Sequence, residues 1–158
     1  MAMNTSAGSR SSTGVASLVD NPDLGKLLLR VNLGFLLIWH GINFAEGHTN
    51  QLATLGRIGI PGAIGMPLGY LTEIICPIII ILGIYSRLAA LGIAIFMLFA
   101  IGLQHVAQGH LFMLEANPAG FFDSYFLERQ FFYLFSALGV LFIGGGRYGL
   151  NIGGKWND

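Results

Sequence analysis

The sequence predicts an all-α integral membrane protein: a bundle of four transmembrane helices with two interfacial loop segments. Three observations lead there. Apolar residues make up 54% of the 158-residue chain and charged residues only 10%, against roughly 25% charged in a soluble domain; mean hydropathy is +0.67. Four apolar stretches each run for about 20 residues, enough to span a hydrocarbon core of about 30 Å. Lys and Arg outside those stretches fall almost entirely on one side of a four-span chain.

The spans are expected at Leu27 to Ala45, Met66 to Tyr85, Leu88 to Ala107 and Tyr125 to Ile143. Gly and Pro in the first two are tolerated better in membrane helices than in soluble ones. A tight turn near Ser86 and Arg87 makes the second and third spans antiparallel neighbours. Glu46 to Gly65 reads as a short interfacial helix, with spaced Leu52, Leu55 and Ile58, ending at Pro61. Gln108 to Ser124, with Phe112, Phe121 and Phe122, reads as a segment lying along the membrane surface. Residues 1–23, rich in Ser, Gly, Thr and Asn, read as a disordered tail; residues 24–151 form the helical domain and 152–158 a C-terminal tail. Arg10, Lys26, Arg87, Arg147 and Lys155 share one side, and only Arg57 lies in a loop on the other. Both termini are therefore expected in the cytoplasm.

Composition also excludes function classes. Eight Lys and Arg balance eight Asp and Glu, so the basic excess that nucleic-acid binding leans on is missing. The single cysteine, Cys76, rules out dithiol chemistry within the chain and reads as a small buried hydrophobe. No flavin, nicotinamide or iron–sulfur signature is present.

Ionisable residues in hydrocarbon are costly, so each one in a span needs a reason. Arg30 lies one turn from the cytoplasmic end and is expected to snorkel to water. The other five come to one level. His40 and His105 fall near the outer ends of their spans, and Glu128 and Arg129 open the fourth. Glu73 lies about 10 Å below the outer start of the second, at a rise of about 1.5 Å per residue. Two readings stand. The cluster is interhelical glue, since polar side chains in membranes pair where water is absent. Or it is a working site, because two imidazoles and two carboxylates can hold and relay protons near neutral pH. In the second reading Glu128 lines the pocket and Arg129 sits toward the rim. Pro77 removes the hydrogen bond to the Glu73 carbonyl, so a kink with a free acceptor is expected there. No H-x-x-x-H or E-x-x-H spacing supports a metal site, and His48 and His110 read as solvated loop residues. The aromatic-rich fourth span, with Tyr125, Phe126, Phe131, Phe132, Tyr133 and Phe135, suits lipid contact, or a wall for a quinone ring.

LLLRVNLGFLLIWHG at Leu27 to Gly41, LGRIGIP at Leu55 to Pro61, YLTEIICPIIIILGIYSRLAAL at Tyr70 to Leu91, His105 and the closing GGGRYGLN at Gly144 to Asn151 occur in an order and spacing that resembles the DoxX family of small four-helix bacterial membrane proteins. Two positions depart from it. Asn43 stands where the family often has Lys, which removes a charge beside the cluster. Asn151 stands where it often has Asp, which weakens a contact with Arg147. The resemblance implies a multi-pass protein of the bacterial cytoplasmic (inner) membrane. Relatives are linked to a thiosulfate:quinone oxidoreductase subunit, to membrane redox complexes and to oxidative-stress defence.

The expected function is thus a membrane subunit of a quinone-linked redox complex. Its partners would be the lipid bilayer and other membrane or redox subunits, and its cofactor class would be a quinone. Glu73, His40, His105 and Glu128 are the residues expected to handle protons. Arg129, Asn43, Gln104 and Tyr125 are those expected to hold a headgroup, and no metal ligand is assigned. The alternatives are a non-catalytic structural subunit, in which the cluster only holds the bundle together, and a small carrier or lipid-handling protein. An inverted repeat, the usual mark of a carrier, is lacking.

Overall fold

The computed structural model describes residues 20–57, 59–108, 125–150 and 152–157, with side chains described except at 57, 103–108 and 125–127. Those residues are helical, with no strand among them beyond one isolated bridge between Ile84 and Ile152. The expected surface segment from Gln108 to Ser124, with His110, lies outside the described residues except for the helical backbone of Gln108.

Helix α1 spans Pro22–Glu46. Asn21 caps it, its side-chain oxygen accepting from the N–H groups of Asp23 (3.1 Å) and Leu24 (3.2 Å). Pro22 loses nothing at the first position, where its missing N–H would have no helical acceptor, and Asp23 suits the positive end of the helix dipole. The helix therefore starts ahead of the 23/24 boundary read from composition. Helix α2, His48–Arg57, is the short amphipathic helix expected before Pro61. It ends sooner, at Arg57, with Gly59 in a left-handed conformation soon after. Its Leu52 and Leu55 pack onto Gly62 and Gly65.

Helix α3, Gly62–Leu82, starts four residues before the expected span and takes Pro67 inside it. It has three parts: α-helical Gly62–Tyr70, a π-helical turn at Leu71–Ile75, and α-helical Cys76–Leu82. In the π-turn the Cys76 N–H bonds to the Leu71 carbonyl, five residues earlier. The cause follows from Pro77, whose ring would strike the Glu73 carbonyl in a regular helix; one wider turn ahead of it relieves that contact. Gly83, left-handed at φ 70°, ends the helix, so Tyr85 falls in the turn and not in the span. Helix α4 runs over Ser86–Gln108 and helix α5 over Tyr125–Ile143.

The four longer helices close a ring. α1 packs on α3 and α5, and α4 packs on the same two. Between them lies a core of Leu33, Leu37, Ile80, Ile93, Met97, Tyr133, Leu134 and Val140, with small Ala89, Ala90, Ala94 and Ala137 on α4 and α5. Cys76 is buried in it. The outside is apolar as well: Phe35, Trp39, Ile95, Phe135 (66%) and Phe142 (74%) are largely exposed. Continuous apolar surface of this kind is rare on water-soluble monomers. α1 and α3 are both long and apolar enough to cross a membrane, and α4 carries a shorter apolar stretch, Ser86–Gly102.

Two glycines set the distance between α1 and α3. A Cβ at residue 41 would stand 2.5 Å from the Glu73 carbonyl oxygen and 2.6 Å from Ile74 Cγ1. A Cβ at residue 34, two turns earlier, would stand 3.0 Å from the Pro77 carbonyl oxygen and against the Ile81 side chain.

The far end of the ring is closed by the segment that follows α5, residues 144–150 and 152–157. Gly144 and Gly146 are left-handed and turn the chain back. The Leu150 N–H then bonds to the Leu82 carbonyl, and the Tyr85 N–H to the Ile152 carbonyl. Asn157 is fully buried; its Oδ1 accepts from Ser86 Oγ at 2.7 Å and from the Ser86 N–H at 3.3 Å. Arg30 does not snorkel. It is fully buried, and its Nη2 donates to the Tyr148 carbonyl at 2.9 Å. The folded-back segment brings a carbonyl to one nitrogen of the guanidinium, while Nε and Nη1 are buried with no partner among the described residues. Gly83 and Gly149 leave room for its Nη1.

Gly41→Ala should lower stability by about 1–3 kcal/mol, the usual cost of overpacking against an unyielding neighbour. Gly25→Ala, where nothing lies within 4 Å, is the control and should not lower the melting temperature in detergent. Equal melting of the two variants would contradict the close approach.

Candidate functional site

The close approach at Gly41 positions the residue before it. His40 Nε2 comes to 3.9 Å from Glu73 Oε1. Glu73 is 4% exposed, and its second oxygen, Oε2, is buried with no hydrogen-bond partner. The π-turn carries Glu73 inward, the kind of local irregularity that recurs at functional sites. His40 keeps about a quarter of its side chain exposed (27%), so the pair has one buried and one accessible member.

Tyr133, on α5, completes the group. It is 6% exposed, and its ring stacks on His40 with centroids 5.9 Å apart and planes 28° from parallel. Its hydroxyl points to the Leu36 carbonyl at 3.5 Å, the long limit of a hydrogen bond. Arg129 lies one turn before Tyr133 on the same helix, with its side chain exposed. An imidazole, a phenol and a buried carboxyl from three helices thus meet around His40, with a cation one turn away on α5. Such a set can accept, store and pass a proton, and can hold a planar polar headgroup against the stacked rings.

The other expected site residues fall as follows. Glu128 and Arg129 are both exposed. The two point about 100° apart on the helix, and both lie at the exposed edge of the bundle. Asn43 is exposed and turns its amide back to the Trp39 carbonyl at 2.8 Å, within its own helix. Gln104 and His105 lie on α4 and Tyr125 opens α5, but their side chains lie outside the described residues. His48 is not in a loop: it opens α2, and its Nδ1 lies 3.2 Å from the Tyr70 hydroxyl. The sequence marks Tyr133 only as one of the aromatics of the fourth span, not as a partner of His40. Its signal was its place one turn after Arg129 in an otherwise Phe-rich run.

The DoxX family model matches residues 25–106, more than half of the chain. The chain belongs to the DoxX family. No curated protein matches it, and no solved structure does. Membership makes it a membrane protein, whose apolar outer faces meet lipid. The DoxX match holds His40, Gly41, Glu73 and Pro77 and reaches His105. It stops before α5, which supplies Arg129 and Tyr133.

The two readings of the cluster differ in what Glu73 does for stability. Glue that is removed costs about 1–3 kcal/mol, because partners are left unsatisfied. Glu73 has one distant partner and one bare buried oxygen, so Glu73→Leu should melt no lower than the unaltered protein in detergent. A clear drop in melting temperature would favour glue.

Proposed function

We propose that this DoxX protein is a multi-pass subunit of a quinone-linked redox complex in a bacterial cytoplasmic membrane. Its four long helices cross the bilayer, both termini are cytoplasmic, and the His40–Glu73–Tyr133–Arg129 group is its headgroup and proton site. The observation that carries the proposal is the buried Glu73 oxygen without a partner, 3.9 Å across from an accessible imidazole. Buried polar atoms are nearly always satisfied, so a bare one beside a proton carrier suits a ligand or a moving proton.

The residues fit a quinone by shape and by donor set. A flat ring suits the Tyr133–His40 stack. A ring carbonyl suits a donor on Glu73 or on His40. When bound, a quinone supplies two-electron, two-proton chemistry at its two ring oxygens. Glu73 Oε2 holds a proton at the buried end. His40 passes protons between Glu73 and the exposed edge. Arg129 offsets negative charge that builds up at the site. Tyr133 holds the His40 ring in plane. The electrons come from a partner redox subunit, since this chain has no electron-carrier motif of its own. His105, at the end of the third span, is a further proton carrier in this reading, with Gln104 and Tyr125 beside the headgroup.

Glu73→Gln keeps the shape and most hydrogen-bonding capacity but cannot exchange a proton. With the complex assembled in its membrane, quinone turnover should fall by about 100-fold or more, as expected when a positioned acid or base is lost. Assembly is checked separately by co-purification. Normal turnover in an assembled Glu73→Gln complex would overturn the proton role and leave the structural subunit in front.

A further inference from the structure

At the opposite end of the ring from Glu73, the C-terminal latch gathers cations that the redox reading does not use. Lys26 and Arg147 share one carboxylate there, Asp23, at 3.6 Å and 3.9 Å. Arg87 and Lys155 have no acidic partner among the described residues. The latch ties the segment that carries Lys155 to the start of the helix that carries Arg87. Asn157, two residues after Lys155, bonds to Ser86, the residue before Arg87. The Tyr85 ring lies over Gly153, where a Cβ would meet it at 2.8 Å, and this seats the 3-10 turn Gly154–Trp156 beside the start of α4. Arg87 Nε is buried and has no acceptor. Lys155 is exposed, and so are the aromatic rings beside it, Trp156 (51%) and Tyr85 (43%).

A buried guanidinium N–H without an acceptor calls for an anion or a polar oxygen. Exposed Trp and Tyr at the end of a hydrophobic ring belong at headgroup depth. We propose that Arg87 and Lys155 form a site for the phosphate of an anionic phospholipid headgroup, with Trp156 and Tyr85 seated against its glycerol and upper acyl chain. Arg87 donates to the phosphate oxygens and Lys155 supplies the second charge. Asn157 is the positioning residue, because it ties the Lys155 turn to the Arg87 helix. The site rests on the membrane-spanning reading and not on the chemistry at Glu73.

The test reconstitutes the full chain in nanodiscs of phosphatidylcholine mixed with phosphatidylglycerol, then extracts it gently and measures lipid retained per protein. Phosphatidylglycerol should be retained selectively. Retention should fall about fivefold for each charge removed in Arg87→Gln and Lys155→Gln, as for single cations at a membrane surface, and should return in Arg87→Lys with Lys155→Arg. Arg147→Gln, which removes a cation already held by Asp23, should change it little. Unchanged retention in the Arg87→Gln, Lys155→Gln double variant would overturn the site. So would an equal loss in Arg147→Gln, which would mean a diffuse basic field. Displacement of the lipid by inorganic phosphate would mean that the ligand is a free anion. Glu73→Gln protein should retain lipid normally whatever its turnover, so the two proposals fail separately. A chain that does not float with vesicles would sink the spanning reading and this site together.

Discussion

α1 can lie against the Glu73 carbonyl only because residue 41 has no side chain. Much of the structure follows from that contact. Pro77 withdraws the N–H that the Glu73 carbonyl would otherwise accept, and the turn before it widens into a π-turn. The carbonyl then faces α1, where any Cβ would collide with it. Gly34 repeats the arrangement two turns away, at the Pro77 carbonyl, so α1 and α3 run closely packed over that length. His40 is next to Gly41 in the chain, so the same contact delivers the imidazole to Glu73. Packing and site share one cause: a glycine on one helix matched to a proline-loosened turn on the other.

Sequence reading reached the helices because apolar length is a coarse and robust signal. It reached the His40–Glu73 pairing because charges in hydrocarbon are rare enough to count by depth. The π-turn was only half legible. Pro77 announced a defect at the Glu73 carbonyl, but not that the helix would absorb it by widening. Tyr133 was hidden among phenylalanines, since nothing local says which aromatic faces a histidine on another helix. Arg30 was misread for a related reason. Its depth suited snorkelling, and only the turn of the chain after α5, which no local signal announces, puts the Tyr148 carbonyl within reach.

The two ends of the ring do different work. The Arg30 end is tied by directed bonds: Asn157 to Ser86, Arg30 to Tyr148, and backbone bonds from Leu150 and Tyr85. The Glu73 end has a long ion-pair distance and a long hydroxyl contact; both ends leave buried polar atoms without a partner, Glu73 Oε2 at one and Arg30 Nε, Arg30 Nη1 and Arg87 Nε at the other. Stable proteins often accept such deficits where function needs them. What sets the Glu73 end apart is the kind of group left over: a carboxyl oxygen beside a partly exposed imidazole, where the other end leaves guanidinium N–H groups.

The most direct measurement is the infrared difference spectrum of the membrane-reconstituted protein on addition of a short-chain quinone. The predicted result is a carboxyl band that shifts on quinone addition and is lost in Glu73→Gln. A spectrum with no carboxyl change, or one whose carboxyl band survives in Glu73→Gln, would contradict the placement of the quinone and its protons at Glu73.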